Sequence, residues 1–125
     1  MLAFLFLQAV VPAVPADWST LAPLPYVAPP QMTAPLGRFV AEEIAAGRCA
    51  VPKPADGHYV FKVDVATLVS ADGKVLRTVP RAINCPTVEQ YSAGLVVSFA
   101  RTNLPMRGGA ADIWYRATVT YDWGG

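Results

Sequence analysis

The sequence is short of charge and of the residues that most often carry chemistry. Only 15% of its 125 residues are charged, the formal net charge is +1, and no block of like charge occurs. This argues against nucleic-acid binding driven by phosphate neutralisation. A single histidine and two cysteines, with no CxxC or HxxxH spacing, argue against a metal site, and no dinucleotide or phosphate-loop fingerprint is present. We therefore expect no metal, no cofactor and no nucleic-acid partner.

The two cysteines leave three interpretations open. Cys85 lies directly before a predicted helix, where a positive helix end favours a thiolate, but catalysis also needs a base. The one histidine, His58, begins a predicted strand. The even count and predicted export favour a disulfide between Cys49 and Cys85, whereas in a cytosolic protein both are expected to be buried free thiols. No catalytic residue is predicted, and we expect a protein that is not an enzyme.

The first sixteen residues, MLAFLFLQAVVPAVPA, contain the longest apolar run of the chain. The run over 2–11 is broken only by Gln8 and is too short to cross a bilayer as a helix. It is typical of the apolar region of a signal peptide, with small residues for cleavage after Ala16, although no Lys or Arg precedes it. We predict a signal peptide over 1–16, export to the periplasm and no transmembrane anchor; the alternative is a buried N-terminal strand.

Proline is abundant where other signals are weak, with seven prolines between positions 12 and 35. Because proline fixes φ and pushes its predecessor toward extended geometry, the pattern predicts an extended linker over 17–32. Trp18, Tyr26 and Met32 are the residues able to pin this linker onto the folded domain, which we assign to 33–125.

Apolar spacing predicts the first three elements of that domain. A helix begins at Ala34 and ends before Gly47. Alternating residues predict a strand over 58–70. The sequence ADGK then predicts a hairpin turn into a second strand over 74–83, where Pro80 indicates a sheet edge.

The remaining elements are a helix and a strand. The run PTVEQYSAGLVVSFARTN predicts a helix over 86–103, with Thr87 and Gln90 as a capping box and Gly94 as a point of close packing. The alternating IWYRATVTYDW predicts a last strand over 113–123.

The order of these elements is helix, strand, strand, helix, strand. Following the chain direction through the hairpin and the second helix gives a three-stranded antiparallel sheet in the order second, first, last. With the helices on one face, this is an α+β fold of two layers. The last strand is then an open edge, unless the N-terminal segment covers it.

The segment over 57–123 resembles the C-terminal domain of TonB and, more loosely, that of TolA. The resemblance is carried by the first strand, the hairpin ADGKV, the second strand and the run PTVEQYSAGLVVSFARTNLP. Phe99 stands near a position where the family usually has tryptophan. Leu104 and Pro105 are similar to the aromatic-x-Pro ending of the family's helix.

The resemblance implies a binding role for the last strand. In TonB the exposed edge strand accepts an extended peptide, so the partner here is expected to be a protein or peptide of the cell envelope. Trp114 and Arg116 would contact it, while Thr118 and Thr120 would present the strand edge. A proline at Val119 is expected to abolish peptide capture with a modest loss of fold.

Two other outcomes are compatible with the same strand. Pairing of two copies edge to edge gives a possible homodimer. Alternatively, the chain is a structural envelope protein whose edge strand is covered by its own N-terminal segment and which has no peptide ligand.

Overall fold

The computed structural model describes residues 12–124. The apolar run over 2–11, on which the signal-peptide prediction depends, lies outside this range. Among the helices of 12–124, none is both long and apolar enough to cross a membrane.

Residues 12–124 form a three-stranded sheet and two α-helices, so the predicted α+β class is confirmed. A short 3₁₀ helix over Trp18–Thr20 precedes them. The elements are α1 (Ala34–Ala45), β1 (His58–Val69), β2 (Val75–Pro80), α2 (Pro86–Ala100) and β3 (Ile113–Gly124).

The sheet has the predicted strand order β2-β1-β3, and both pairs are antiparallel. β1 and β3 pair along their whole length, from His58 opposite Gly124 to Val69 opposite Ile113. The Asp-Gly turn joins β1 to β2: Gly73 has φ +81°, and the N–H of Ser70 donates to the carbonyl of Lys74 at 2.9 Å. The positive φ explains why glycine occupies that position.

The main core lies between the helices and one face of the sheet. It contains Val40 of α1, Val88 and Val96 of α2, and alternate residues of β1 and β3. Tyr121 is the largest fully buried side chain among residues 12–124, and its hydroxyl lies 2.8 Å from that of Ser92. Burial raises the pKa of Tyr121 to about 12, so its hydroxyl stays neutral as a member of the core.

The start of α2 differs from the predicted capping box, which is wrong. Cys85 is the N-cap residue, and the helix begins at Pro86. The carboxylate of Glu89 accepts hydrogen bonds from the backbone N–H of Cys85 at 3.0 Å and of Ile83 at 3.1 Å. The hydroxyl of Thr87 instead donates to Glu43 of α1 at 2.9 Å. Proline at the first helical position and an acidic side chain in the first turn therefore define this helix start.

Gly94 of α2 does not mediate the close packing expected of it. It is exposed, and a Cβ atom at this position would meet nothing within 4 Å.

The predicted disulfide between Cys49 and Cys85 is confirmed. Both residues are buried, and their Cα atoms lie 5.0 Å apart. The bond joins the loop after α1 to the start of α2. Within 12–124 it leaves no free cysteine, so the reactive-thiol interpretation of Cys85 has no support.

The N-terminal segment, defined here as residues 12–32, lies on the domain. Val14, Trp18 and Leu21 cover part of the sheet face opposite the helices. There they pack in a second, smaller apolar cluster with Ala66, Leu68 and Trp114. The segment then passes the edge of β3, and its later residues Leu24, Tyr26 and Met32 pack against the main core.

Asn103, just after α2, fixes the turn of this segment on the helix side. Its side-chain amide donates to the carbonyl of Ala28 and accepts from the N–H of Ala28, both at 2.8 Å. The same amide nitrogen also donates to the carbonyl of Phe99. Asn103 thus bonds to the segment as a neighbouring strand would.

Candidate functional site: the outer edge of β3

The direction of each backbone group in β3 follows from the β1 register. Asp64 is opposite Thr118, and the carbonyl of Asp64 accepts from the N–H of Arg81, on the β2 side, at 2.8 Å. In an antiparallel pair, opposite residues either exchange both hydrogen bonds or point both away. The N–H and C=O of Thr118 therefore point away from β1, as do those of Arg116, Thr120 and Asp122.

The N-terminal segment uses one of these outward positions. Its residues Ala22–Leu24 run parallel to β3. The N–H of Arg116 donates to the carbonyl of Ala22 at 2.8 Å, and the N–H of Leu24 donates to the carbonyl of Arg116 at 2.9 Å. The backbone nitrogen of Pro23, between them, points away from β3. Its lack of an N–H therefore removes no hydrogen bond from this pairing.

Beyond Arg116 the edge of β3 is open. The outward backbone groups of Thr118, Thr120 and Asp122 have no backbone partner among the described residues. We call these three residues the open edge. They present three donors and three acceptors in one row, which is the pattern that an added strand pairs with.

The other edge of the sheet is protected. β2 has only six residues, and Pro80 at its end has no N–H to offer. Its register shifts at Leu76, which stands between the residues paired with Leu68 and Val69. Short length, a bulge and a proline are the usual means of blocking edge pairing. The open edge on β3 has none of them.

A groove follows the open edge on its helix side. It is formed by three adjoining clefts. The first lies next to Thr118 and is lined by Pro23, Leu24 and Tyr26. The second lies next to Thr120 and is lined by Tyr26, Pro30 and Met32, and the third lies next to Asp122 and is lined by residues of α1. The last cleft has a volume of about 470 Å³. Burial raises the pKa of Tyr26 to about 12, so the wall of the groove that it forms is uncharged.

An ionisable pair lies at the far end of the open edge, on the sheet face opposite the helices. Nε2 of His58 is 2.5 Å from Oδ1 of Asp122, and both side chains are well exposed. The hydrogen bond to Asp122, followed by its negative charge, raises the pKa of His58. His58 thus makes a pair with the last residue of the open edge and is not paired with a cysteine.

The four residues predicted to meet a partner lie in two different environments. Trp114 is only 8% exposed, and its indole N–H donates to the carbonyl of Pro12 at 2.9 Å. Arg116 is bonded to the N-terminal segment through its backbone. Thr118 and Thr120 belong to the open edge, and the hydroxyl of Thr118 donates to Asp64 at 2.6 Å. The predicted set is therefore split between a covered and an open half of β3.

Val119 is not a position at which proline would block only the outer edge of β3, contrary to the sequence-based expectation. Val119 is 4% exposed and lies opposite Val63, with its backbone groups directed toward β1. A proline there would remove a hydrogen bond of the sheet itself. Thr120 is the suitable position, because its N–H points outward.

Asp122 and Arg38 also line the groove and were not predicted from the sequence, and Met32 was expected only to pin the N-terminal segment onto the domain. Asp122 shares the alternation of Thr118 and Thr120, so the strand pattern already contained its signal. Met32 and Arg38 have no such signal, because their place beside β3 depends on how the N-terminal segment and α1 cross the sheet.

No protein-family model, no curated protein and no solved structure matches this chain.

Proposed function

We propose that this protein is a non-enzymatic binding domain that takes an extended segment of an envelope protein as an added strand at Thr118, Thr120 and Asp122. The observation that carries the proposal is the row of outward backbone groups without a backbone partner in the described chain. A groove beside that row leaves room for alternate side chains of the added strand.

Two further features support this function. The resemblance of 57–123 to the TonB C-terminal domain favours peptide capture by the last strand. The disulfide fits an oxidising compartment, which favours export to the periplasm.

Main-chain pairing supplies affinity without much selectivity. Each hydrogen bond adds about 1 kcal/mol net, because the same groups bond to water when free. An added strand on three outward residues is therefore a weak binder unless side chains contribute.

The first test is a direct binding measurement with a defined probe. The probe is a fluorescein-labelled peptide of alternating threonine and valine, TVTVTVT, flanked by lysines for solubility. We expect fluorescence anisotropy to show binding to the wild-type protein and no binding to Thr120→Pro, whose missing N–H breaks the row.

Thr120→Ala is the matched control, because it shortens the side chain and keeps the N–H. It should bind the probe as the wild type does. Equal binding by Thr120→Pro, or loss of binding by Thr120→Ala with intact fold, would reject strand addition at this edge.

The structural alternative also has an observation in its favour, since Ala22–Leu24 already pairs with Arg116. Hydrogen exchange separates the two functions. Strand addition predicts a protected Arg116 amide and fast exchange at Thr118, Thr120 and Asp122 that slows when the probe is added. Slow exchange at all four amides without the probe favours the structural role, and slowing that depends on protein concentration favours a homodimer.

A further inference from the structure

The cleft at the α1 end of the groove has the character of a side-chain pocket. Apolar groups from three parts of the chain meet there: Met32 from the N-terminal segment, Gly37 and Ala41 from α1, and Trp123 from β3. Asp122 of the open edge lines the same cleft, so it adjoins the row of unpaired backbone groups.

Gly37 keeps this cleft open. It lies inside α1, where glycine is the least favourable residue after proline. Its φ is not positive, and a Cβ atom at this position would meet nothing within 4 Å. Neither backbone geometry nor packing within the described chain requires glycine there. The one visible consequence of its missing side chain is the space beside β3.

Arg38 gives the cleft a positive charge. The residue is exposed, and within 12–124 it forms no ion pair. The carboxylate of Asp122 does not neutralise this charge, because it lies on the other face of the sheet and pairs with His58. A carboxylate entering the cleft would therefore find an unpaired guanidinium next to an apolar surface.

The geometry of strand addition directs one partner side chain into this space. Neighbouring residues on adjacent strands share a face of the sheet. Tyr121 points to the helix face, whereas Thr120 and Asp122 lie on the opposite face. A partner residue beside Tyr121 therefore projects toward α1, and the residues two positions away along the partner project to the same side.

We propose that the cleft takes a bulky apolar side chain of the added segment, and that a carboxylate two positions away along that segment pairs with the guanidinium of Arg38. The partner is then an extended segment that alternates apolar and acidic residues on the helix face. This inference rests on the proposed function and adds selectivity to the backbone pairing.

The test compares peptides and variants. The probe is TVTFTET, again flanked by lysines, in which phenylalanine and glutamate share a face. Replacing its phenylalanine with alanine is expected to weaken binding about ten-fold. Replacing its glutamate with glutamine should weaken binding about two- to five-fold to the wild type and not at all to Arg38→Gln.

The matched pair of variants is Gly37→Leu and Gly94→Leu. Both replace a helix glycine that has open space at Cβ, but only Gly37 lines the cleft. Gly37→Leu should reduce binding of the phenylalanine probe about ten-fold, and Gly94→Leu should leave it unchanged. Circular dichroism of both variants verifies the fold.

The outcomes separate the two proposals. Binding that Thr120→Pro abolishes, but that is indifferent to the phenylalanine and to Gly37→Leu, overturns the pocket and keeps strand addition. No binding of either probe to the wild type overturns both.

Discussion

At the scale of single residues, neighbouring residues of β3 direct their backbone hydrogen-bonding groups to opposite sides of the strand. Val119 directs its backbone to β1 and its side chain into the core, whereas Thr120 directs its N–H to the outside. Sequence alternation assigns side-chain faces correctly but says nothing about which amides face the neighbouring strand. Locating the bonded amides needed the register between β1 and β3.

His58 and Asp122 make a prediction about pH at this scale. Asp122 raises the pKa of His58 above its usual value of 6.5. A raised pKa in the folded state means that the pair stabilises the fold fully below pH 6.5 and loses this effect as pH rises through the higher folded value. NMR titration of His58, the one histidine of the chain, should give a lower midpoint in Asp122→Asn than in the wild type. Equal midpoints would show that the pair does not form in solution.

The cap of α2 shows why local motifs mislead. The sequence around Thr87 and Gln90 fits a capping box, yet Glu89 caps the backbone before the helix and Thr87 bonds to α1. Both patterns are compatible with the same residues. Which of the two caps forms depends on the position of α1, and the local spacing of residues around α2 carries no information about that position.

At the scale of elements, the disulfide connects the loop after α1 to the start of α2 across a sequence separation of 36 residues. In the chain-entropy description, closing such a loop stabilises the fold by about 4 kcal/mol, less any strain. We expect Cys49→Ala with Cys85→Ala, or reduction of the wild type, to lower the free energy of unfolding by about 2–4 kcal/mol.

Urea unfolding with and without dithiothreitol measures this difference. The double variant is its own control, because the reductant should not change its midpoint. A wild type equally stable in both conditions would mean that the bond does not restrain the unfolded chain.

Most elements were predictable because each has a local signal. The alternation of β1, the Asp-Gly turn and Pro80 at the end of β2 fixed the hairpin, and the chain direction then required β3 beside β1. The path of residues 12–32 has no such signal. The prolines of this segment interrupt any helical or strand periodicity. Its apolar residues also contact two different faces of the sheet, Trp18 and Leu21 on one and Leu24 on the other.

At the scale of the whole molecule, this path decides how much of β3 is available. Leu21 holds the segment on the sheet face opposite the helices and is 8% exposed. We expect Leu21→Ala to lower the free energy of unfolding by about 2–3 kcal/mol, since it removes a buried side chain. It should also speed hydrogen exchange at Arg116, because Ala22–Leu24 loses its anchor.

Val27→Ala is the control within the same segment. Val27 is 69% exposed, so its truncation should change the unfolding free energy by less than about 0.5 kcal/mol and leave Arg116 protected. Slow exchange at Arg116 in Leu21→Ala would show that its pairing does not depend on this anchor.

The Asn103 amide has a chemical consequence for the ageing of the protein. Its nitrogen faces the carbonyl oxygens of Ala28 and Phe99, both of which need a donor. Deamidation would put a negatively charged oxygen against them and turn two attractions into repulsions. Replacing the NH2 group of this one side chain with a carboxylate oxygen would thus loosen the bend that brings the N-terminal segment from the sheet edge to the helices.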